Sequence, residues 1–235
     1  MRRRVSSMVR LACCIGLLAT AGSSYADGRI WIVTGEAYKD DYYFSLGTVL
    51  PLLPGSTLGN GWVQRYWLDT FTYDYEANGR RIDANVWGGE AMLGYQASRP
   101  GLSGAAYLGV RYSNGSLSPD DPGNDIRGDN FWLKGQLEGE AALTPKWRVN
   151  GIVSYLFGLD GYWSRVRLLR SLSGTHFIGP EAIAQGDPKY NAYKLGIAVG
   201  GFQPFDKVFV TFKGGYRWQT GANSPYAGFE IVGEF

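Results

Sequence analysis

A chain of 235 residues that is 45% hydrophobic, 15% aromatic and 19% charged, with 34 glycines, two cysteines and one histidine, belongs to none of several common classes. Disorder needs few aromatics and a high net charge, a disulfide or zinc scaffold needs several cysteines, and a histidine-built metal site needs more than one histidine. The formal charge is only +2, and its distribution along the chain matters more than its sum.

Residues 1–26 read as a signal peptide. Arg2, Arg3, Arg4 and Arg10 form a basic start, residues 11–20 a short apolar core, and Ser24-Tyr25-Ala26 places small residues where a signal peptidase reads. Without its four arginines, the remaining 19 basic residues face 21 acidic ones, so the exported chain carries −2. The basic excess therefore belongs to the signal, and no footprint for nucleic acid is left. Both cysteines leave with it, so the exported chain draws its stability from packing or from a membrane.

Residues 27–235 contain no apolar run near the length a transmembrane helix needs, and they lack helical periodicity. They alternate with period two between turn signals. In chain order, a first pair is predicted at 29–38 and 42–52, around Lys39-Asp40-Asp41. The next strand, residues 62–75, sets Val63, Arg65, Trp67, Asp69, Phe71 and Tyr73 on one face. Residues 86–97 set Trp87, Ala91, Leu93 and Tyr95 against Glu90, Met92 and Gln96. Residues 106–113 set Leu108 and Val110 against Tyr107 and Arg111, and residues 131–141 set Phe131, Leu133 and Leu137 against Trp132, Lys134, Gln136 and Glu138. Towards the end Val208, Val210, Phe212 and Tyr216 oppose Lys213 and Arg217. The last segment, residues 226–235, carries Ala227, Phe229, Ile231 and Phe235 on one face and stops on the aromatic.

Soluble sandwiches also alternate, but their strands run about 5 or 6 residues, whereas a tilted membrane strand needs about 9 to 11. The strands here are long, and one face is almost free of charge, as lipid requires: a charge at the bilayer midplane costs about 2 to 4 kcal/mol. The pattern predicts an all-β fold, an antiparallel transmembrane outer-membrane β-barrel occupying 27–235 as one domain. Short connections at 98–101, 144–146, 173–175 and 202–206 alternate with more polar ones at 76–80, 117–128, 185–189 and 220–225, as periplasmic turns and extracellular loops do. The count is twelve strands, or ten if the first pair is misread. Phe229, Ile231 and Phe235 resemble the C-terminal insertion signal of bacterial outer-membrane barrels, which implies the barrel-assembly machinery as a partner besides outer-membrane lipid.

Twelve strands enclose more than the side chains of eight can fill. The inner face expected from the alternation carries both signs, and two readings of it stand. In one, the charges pair across the lumen and hold the barrel in shape, since buried ions need partners or water. In the other, Arg65, Trp67, Asp69, Glu90, Tyr107, Arg111, Trp132, Lys134, Glu138, Trp163, Arg165 and Arg167 form a polar and aromatic surface for a sugar chain, whose C–H faces stack on rings. Arg65 and Asp69 are placed inside because the reverse would put an arginine in lipid. A lipid-modifying enzyme would need a nucleophile and a base, and the lone His176, near Ser173 and Thr175, lies beside an expected periplasmic turn, so no catalytic residue is assigned. Asp120, Asp121, Asn124 and Asp125 lack the ligand spacing of known calcium loops, and no metal or cofactor is expected.

The segments EAMLGYQ (90–96), LGVRY (108–112), LSPDDPGN (117–124) followed by Arg127-Gly128, KGQLE (134–138), YWSRVRL (162–168) and IGPEA (178–182) together resemble the cellulose biosynthesis protein BcsS family of proteobacteria. The loop motif Ser118, Pro119, Asp120, Asp121, Pro122, Gly123 and Asn124 is the most distinctive of these. The resemblance implies a non-enzymatic accessory role in making, exporting or anchoring cellulose at the cell outer membrane, with the polymer or its export machinery as partner. It supplies no mechanism. The turn chemistry of the loop suits either a rigid extracellular loop or one folded into the mouth.

Overall fold

The period-two alternation resolves, in a computed structural model that describes residues 28–219 and 223–235, into twelve antiparallel strands and no helix among the described residues. The expected signal peptide lies outside those residues. The strands are β1 Ile30–Ala37, β2 Tyr42–Pro51, β3 Gly61–Ala77, β4 Arg80–Arg99, β5 Leu102–Ser118, β6 Gly128–Thr144, β7 Trp147–Phe157, β8 Gly161–Ser171, β9 Phe177–Asp187, β10 Tyr190–Phe205, β11 Val208–Gln219 and β12 Ser224–Glu234. Each pairs with its sequence neighbour, and β1 closes on β12 from Ile30↔Glu234 to Ala37↔Ala227. Closure satisfies every ladder and removes the open edges that hydrocarbon cannot tolerate. The first pair is correctly read from sequence, and the count is twelve rather than ten.

The faces of the barrel follow the alternation. Leu93, Leu108, Val110, Leu133, Leu137, Val153, Leu195, Ile197 and Phe212 are exposed on the outside. Aromatic clusters flank this band: Trp87, Tyr112 and Phe131 lie in a row with successive ring centroids 5.1 Å apart towards one end, and Trp62 meets Tyr95 at 5.4 Å towards the other. Such girdles mark the two interfaces of a membrane barrel. Phe229 and Ile231 face outward from β12, and Phe235 donates its N–H to the Arg29 carbonyl at 3.0 Å beside the closing seam.

Two boundary expectations are corrected. The connection expected at 76–80 is only Asn78-Gly79, with φ of 52° and 70°, the left-handed pair a two-residue hairpin needs. Likewise β4 begins at Arg80 rather than 86, and the polar residues between are strand. Charge by itself does not end a strand when its partner continues the ladder. As a result β3, β4, β5 and β6, with 17, 20, 17 and 17 residues, stand taller than β7, β8 and β9 at 11 each. We call the protruding part of these four strands the crown. It rises at the end opposite the termini, the one expected to be extracellular.

In the crown the polarity inverts. Along β4, Arg81, Asp83 and Asn85 are exposed while Ile82, Ala84 and Val86 are buried; past Trp87 the exposed set becomes apolar and the buried set contains Glu90. The switch falls at the aromatic girdle, where lipid outside gives way to water.

Candidate functional site

The lumen is built from the inward residues, and the alternation that placed them leaves two groups of interlocked charges. On the tall wall, the Arg111 guanidinium of β5 donates to both carboxylate oxygens of Asp69 on β3, at 2.5 and 2.6 Å, and to Glu90 on β4 at 2.9 Å. Lys134 of β6 donates to the same Glu90 oxygen at 2.5 Å. Arg65 lies 3.8 Å from Glu138, which also accepts from Gln136 at 2.6 Å. The sequence-predicted cations and acids on these strands are therefore brought together as a balanced set, three of each sign.

The second group crosses the lumen on the other side. Arg165 and Arg167 of β8 donate to Glu230 on β12 at 2.5 and 2.7 Å, and Arg167 also holds Glu181 of β9 at 2.5 Å. Glu36 on β1 accepts from Lys194 at 2.7 Å and from Lys213, and Arg217 donates to Asp41 at 2.8 Å. Glu36, a hub for two lysines, and Asp41, the partner of Arg217, were not singled out by sequence reading. Their signal was present, since Glu36 is buried on the same face as Thr34 and opposite the outward Trp31 and Val33. In so short a first strand one acid among apolar residues carries little weight.

The aromatic candidates are inward, but their faces are already occupied. A Cβ on Gly47 would lie 1.9 Å from the Trp67 ring and one on Gly94 2.3 Å from the Tyr107 ring, so each ring lies directly on a bare glycine. The Arg65 guanidinium sits between them, 4.6 Å from Trp67 and 5.7 Å from Tyr107. Stacking of a sugar on Trp67 thus requires Arg65 to move. Trp163 has Arg165 5.8 Å from its ring. Trp132, Glu90 and Ser45 each keep one buried polar atom, Nε1, Oε2 and Oγ, without a protein hydrogen-bond partner, positions that suit a hydrated interior.

Above the charges the mouth is closed by an apolar cluster that sequence reading missed. Tyr73 and Tyr75 of β3, with Ile82, Ala84 and Val86 of β4, pack with Tyr190 and Ala192 of β10 and with Ile126 from the β5–β6 loop. Tyr73 and Tyr190 stand nearly opposite in the strand order, yet their ring centroids are 5.1 Å apart. The distinctive loop folds into the mouth. Asp121 accepts from the Tyr75 hydroxyl at 2.8 Å, Asn124 is buried, and Lys189 of the β9–β10 turn donates to the Gly123 carbonyl. Asp120 pairs with Arg127 at 2.5 Å, so the two adjacent aspartates are engaged within the protein. The bidentate hydrogen bonds from Arg127 hold the Asp120 carboxyl below the usual carboxylate range. His176, at the opposite end, is exposed, with its Nδ1 3.1 Å from the Ser173 carbonyl and its ring edge-on to Phe202 at 5.3 Å.

A closed antiparallel barrel with a lipid-facing apolar band and a charged interior is the architecture of outer-membrane barrels. Among solved structures, the chain resembles the KdgM porin, with a TM-score of 0.51 at 12% identity over 86% of this chain and 97% of that one. The same values hold for that porin in complex with disordered oligogalacturonate. A deletion mutant of TodX, a monoaromatic hydrocarbon channel, gives 0.50 at 9% identity over 88% of each chain. These likenesses establish the fold. The family model of the cellulose biosynthesis protein BcsS matches residues 16–235, and the chain belongs to that family. No curated protein sequence matches it.

Proposed function

We propose that the protein is a non-enzymatic accessory of bacterial cellulose biosynthesis and secretion, seated in the outer membrane, which docks the polymer or its export machinery at its surface while its own lumen is closed at rest. Family membership supports the cellulose role. The observation that carries the docking reading is the contact of opposite walls across the mouth, Tyr73 to Tyr190 at 5.1 Å, above two charge groups that bridge several strands. Contacts between distant strands at two levels, Tyr73 with Tyr190 and Arg167 with Glu230, stand in the way of a glucan chain in this state. The charges themselves argue for a scaffold: Glu36, Glu90 and Glu230 each serve two or more cations, so removal of one of these acids would leave its partners desolvated and uncompensated. A second reading, a polar route through the barrel, is favoured by the unpartnered lumen atoms of Glu90, Ser45 and Trp132.

The test is a chromosomal deletion with complementation. The deletion strain is expected to secrete less cellulose, and both the wild-type chain and a His176→Ala variant to restore it. Unchanged cellulose output in the deletion strain overturns the accessory role; failure of His176→Ala, with the barrel folded and present in the outer membrane, overturns the non-enzymatic reading.

A further inference from the structure

We infer that residues 119–127 form a lid on the mouth, a preassembled segment that bridges the crown to the β9–β10 turn and whose release opens the charged lumen beneath to small hydrated solutes. This rests on the reading of the chain as a membrane-spanning barrel but not on its role in cellulose production.

The segment is ordered from within. The Asn124 amide donates to the Asp121 carbonyl at 3.1 Å, the Arg127 amide to the Asn124 carbonyl at 3.0 Å, and the Ile126 amide to the Asn124 side chain at 3.1 Å. Arg127 and Asp120 clamp its two ends together at 2.5 and 3.0 Å. A body so tied moves as a unit. It ends at Gly128, whose φ of 75° is left-handed and whose Cβ position is open, so glycine is there for conformation rather than for space, as at a pivot.

Its attachments to the rest of the mouth are few by comparison. Ile126 is the apolar side chain it buries in the cluster, among Tyr73, Tyr75, Ile82, Val86 and Tyr190; Asn124 is buried as well, and one β-bridge joins Arg127 to Gly115 of β5 next to the pivot. Tyr75 reaches Asp121 from the same wall. Across the mouth a lysine meets a carbonyl, Lys189 to Gly123, at an exposed site. Exposed contacts of this kind are weak and exchange readily with water. The β3–β4 and β4–β5 ladders, by contrast, run on to Ala77↔Arg80 and Asp83↔Ser118, through the crown. The segment can therefore leave while the walls stay, and Tyr190, held at its hydroxyl by Gln219 at 2.9 Å, then has space to turn away from Tyr73. Below that seam the surface is charged, so opening it exposes a wettable interior rather than a greasy one.

Planar-bilayer recording in potassium chloride with the full purified barrel tests this. A Gly123→Cys, Lys189→Cys pair, with Cys13 and Cys14 replaced by serine, is joined by a short reducible bismaleimide. The tethered protein is expected to be silent and to regain openings on reduction. A second variant, Ile126→Asp with Lys189→Ala, is expected to conduct severalfold more than wild type, with heat-modifiable migration on gels showing that the barrel stays folded. Equal conductance of tethered and reduced protein overturns the lid, as does a folded Ile126→Asp, Lys189→Ala variant that stays at wild-type conductance. A deletion strain with normal cellulose output, alongside a tether that gates conductance, retains the lid and removes the cellulose reading alone.

Discussion

The same four strands, β3 to β6, build two regions of opposite polarity. At membrane level they present Leu93, Leu108 and Leu133 outward and Glu90, Arg111 and Lys134 inward; in the crown they present Arg81, Asp83 and Asn85 outward and Tyr73, Ile82 and Val86 inward. The pairing of β3 with β4 and of β4 with β5 continues unbroken through the change. What changes is the outer medium. Hydrocarbon demands an apolar outside and leaves the polar residues to pair with each other inside, whereas water accepts the polar residues and leaves the apolar ones to bury each other. The lumen is therefore held by ions and the crown by ordinary hydrophobic packing, and the two should break differently.

The largest effect is expected where an ionic hub is removed. Glu36→Leu leaves Lys194 and Lys213 buried without their shared carboxylate, and stranding a buried partner costs about 3 to 5 kcal/mol. Denaturant unfolding of the barrel in detergent should show this loss, and Glu36→Leu combined with Lys213→Met should recover part of it. An unchanged midpoint would mean that water, not the ion network, carries the lumen. Next comes a contrast that locates the membrane boundary. Leu133→Arg places a charge on the lipid face and should cost about 2 to 4 kcal/mol in bilayers, while Asn85→Arg, outward from the crown on β4, should stay within about 0.5 kcal/mol. Equal penalties would extend the membrane band over the crown and dissolve the distinction between the two regions.

Much of this was legible in the sequence, and the reason is physical. Period-two alternation over 10 or more residues is over-determined, because a one-residue slip would carry every lumen charge into lipid. Arg65, Asp69, Glu90, Arg111, Lys134, Glu138, Arg165 and Arg167 are accordingly inward as expected. Pairing partners were not legible: Arg165 and Glu230 are 65 residues apart and meet by barrel curvature, which no local pattern encodes. The crown was missed because residues 76–80 read as a loop and 81–85 were assigned to no strand, although Ile82 and Ala84 continue the alternation of Val86 there. Their alternation carries the opposite sign, which a search tuned to apolar-outside strands discards. The likeness of Trp67 and Tyr107 to a sugar platform reflects residue type alone; Gly47 and Gly94, which receive the rings, lie on other strands.

The smallest expected effect concerns the crown's own edge, the exposed Asp120–Arg127 clamp in the lid. Its hydrogen bonds favour the charged carboxylate, so Asp120 titrates below the ordinary range in the folded protein. A group with a lowered folded pKa contributes fully above its unfolded pKa and loses that contribution as the pH falls through the folded one. Protection of the Asn124 and Arg127 amides against hydrogen exchange, corrected for the intrinsic rate, should then be flat from neutral pH down to the usual carboxylate range and fall below it. Asp120→Asn should show lower protection at neutral pH and little further decline in acid. The barrel's unfolding midpoint should not move in either protein, because an exposed ion pair orders a loop without stabilising the ladders beneath it. Protection that persists in acid would assign the order of the lid to Ile126 and the apolar cluster, and would bring the lid under the same hydrophobic rule as the rest of the crown.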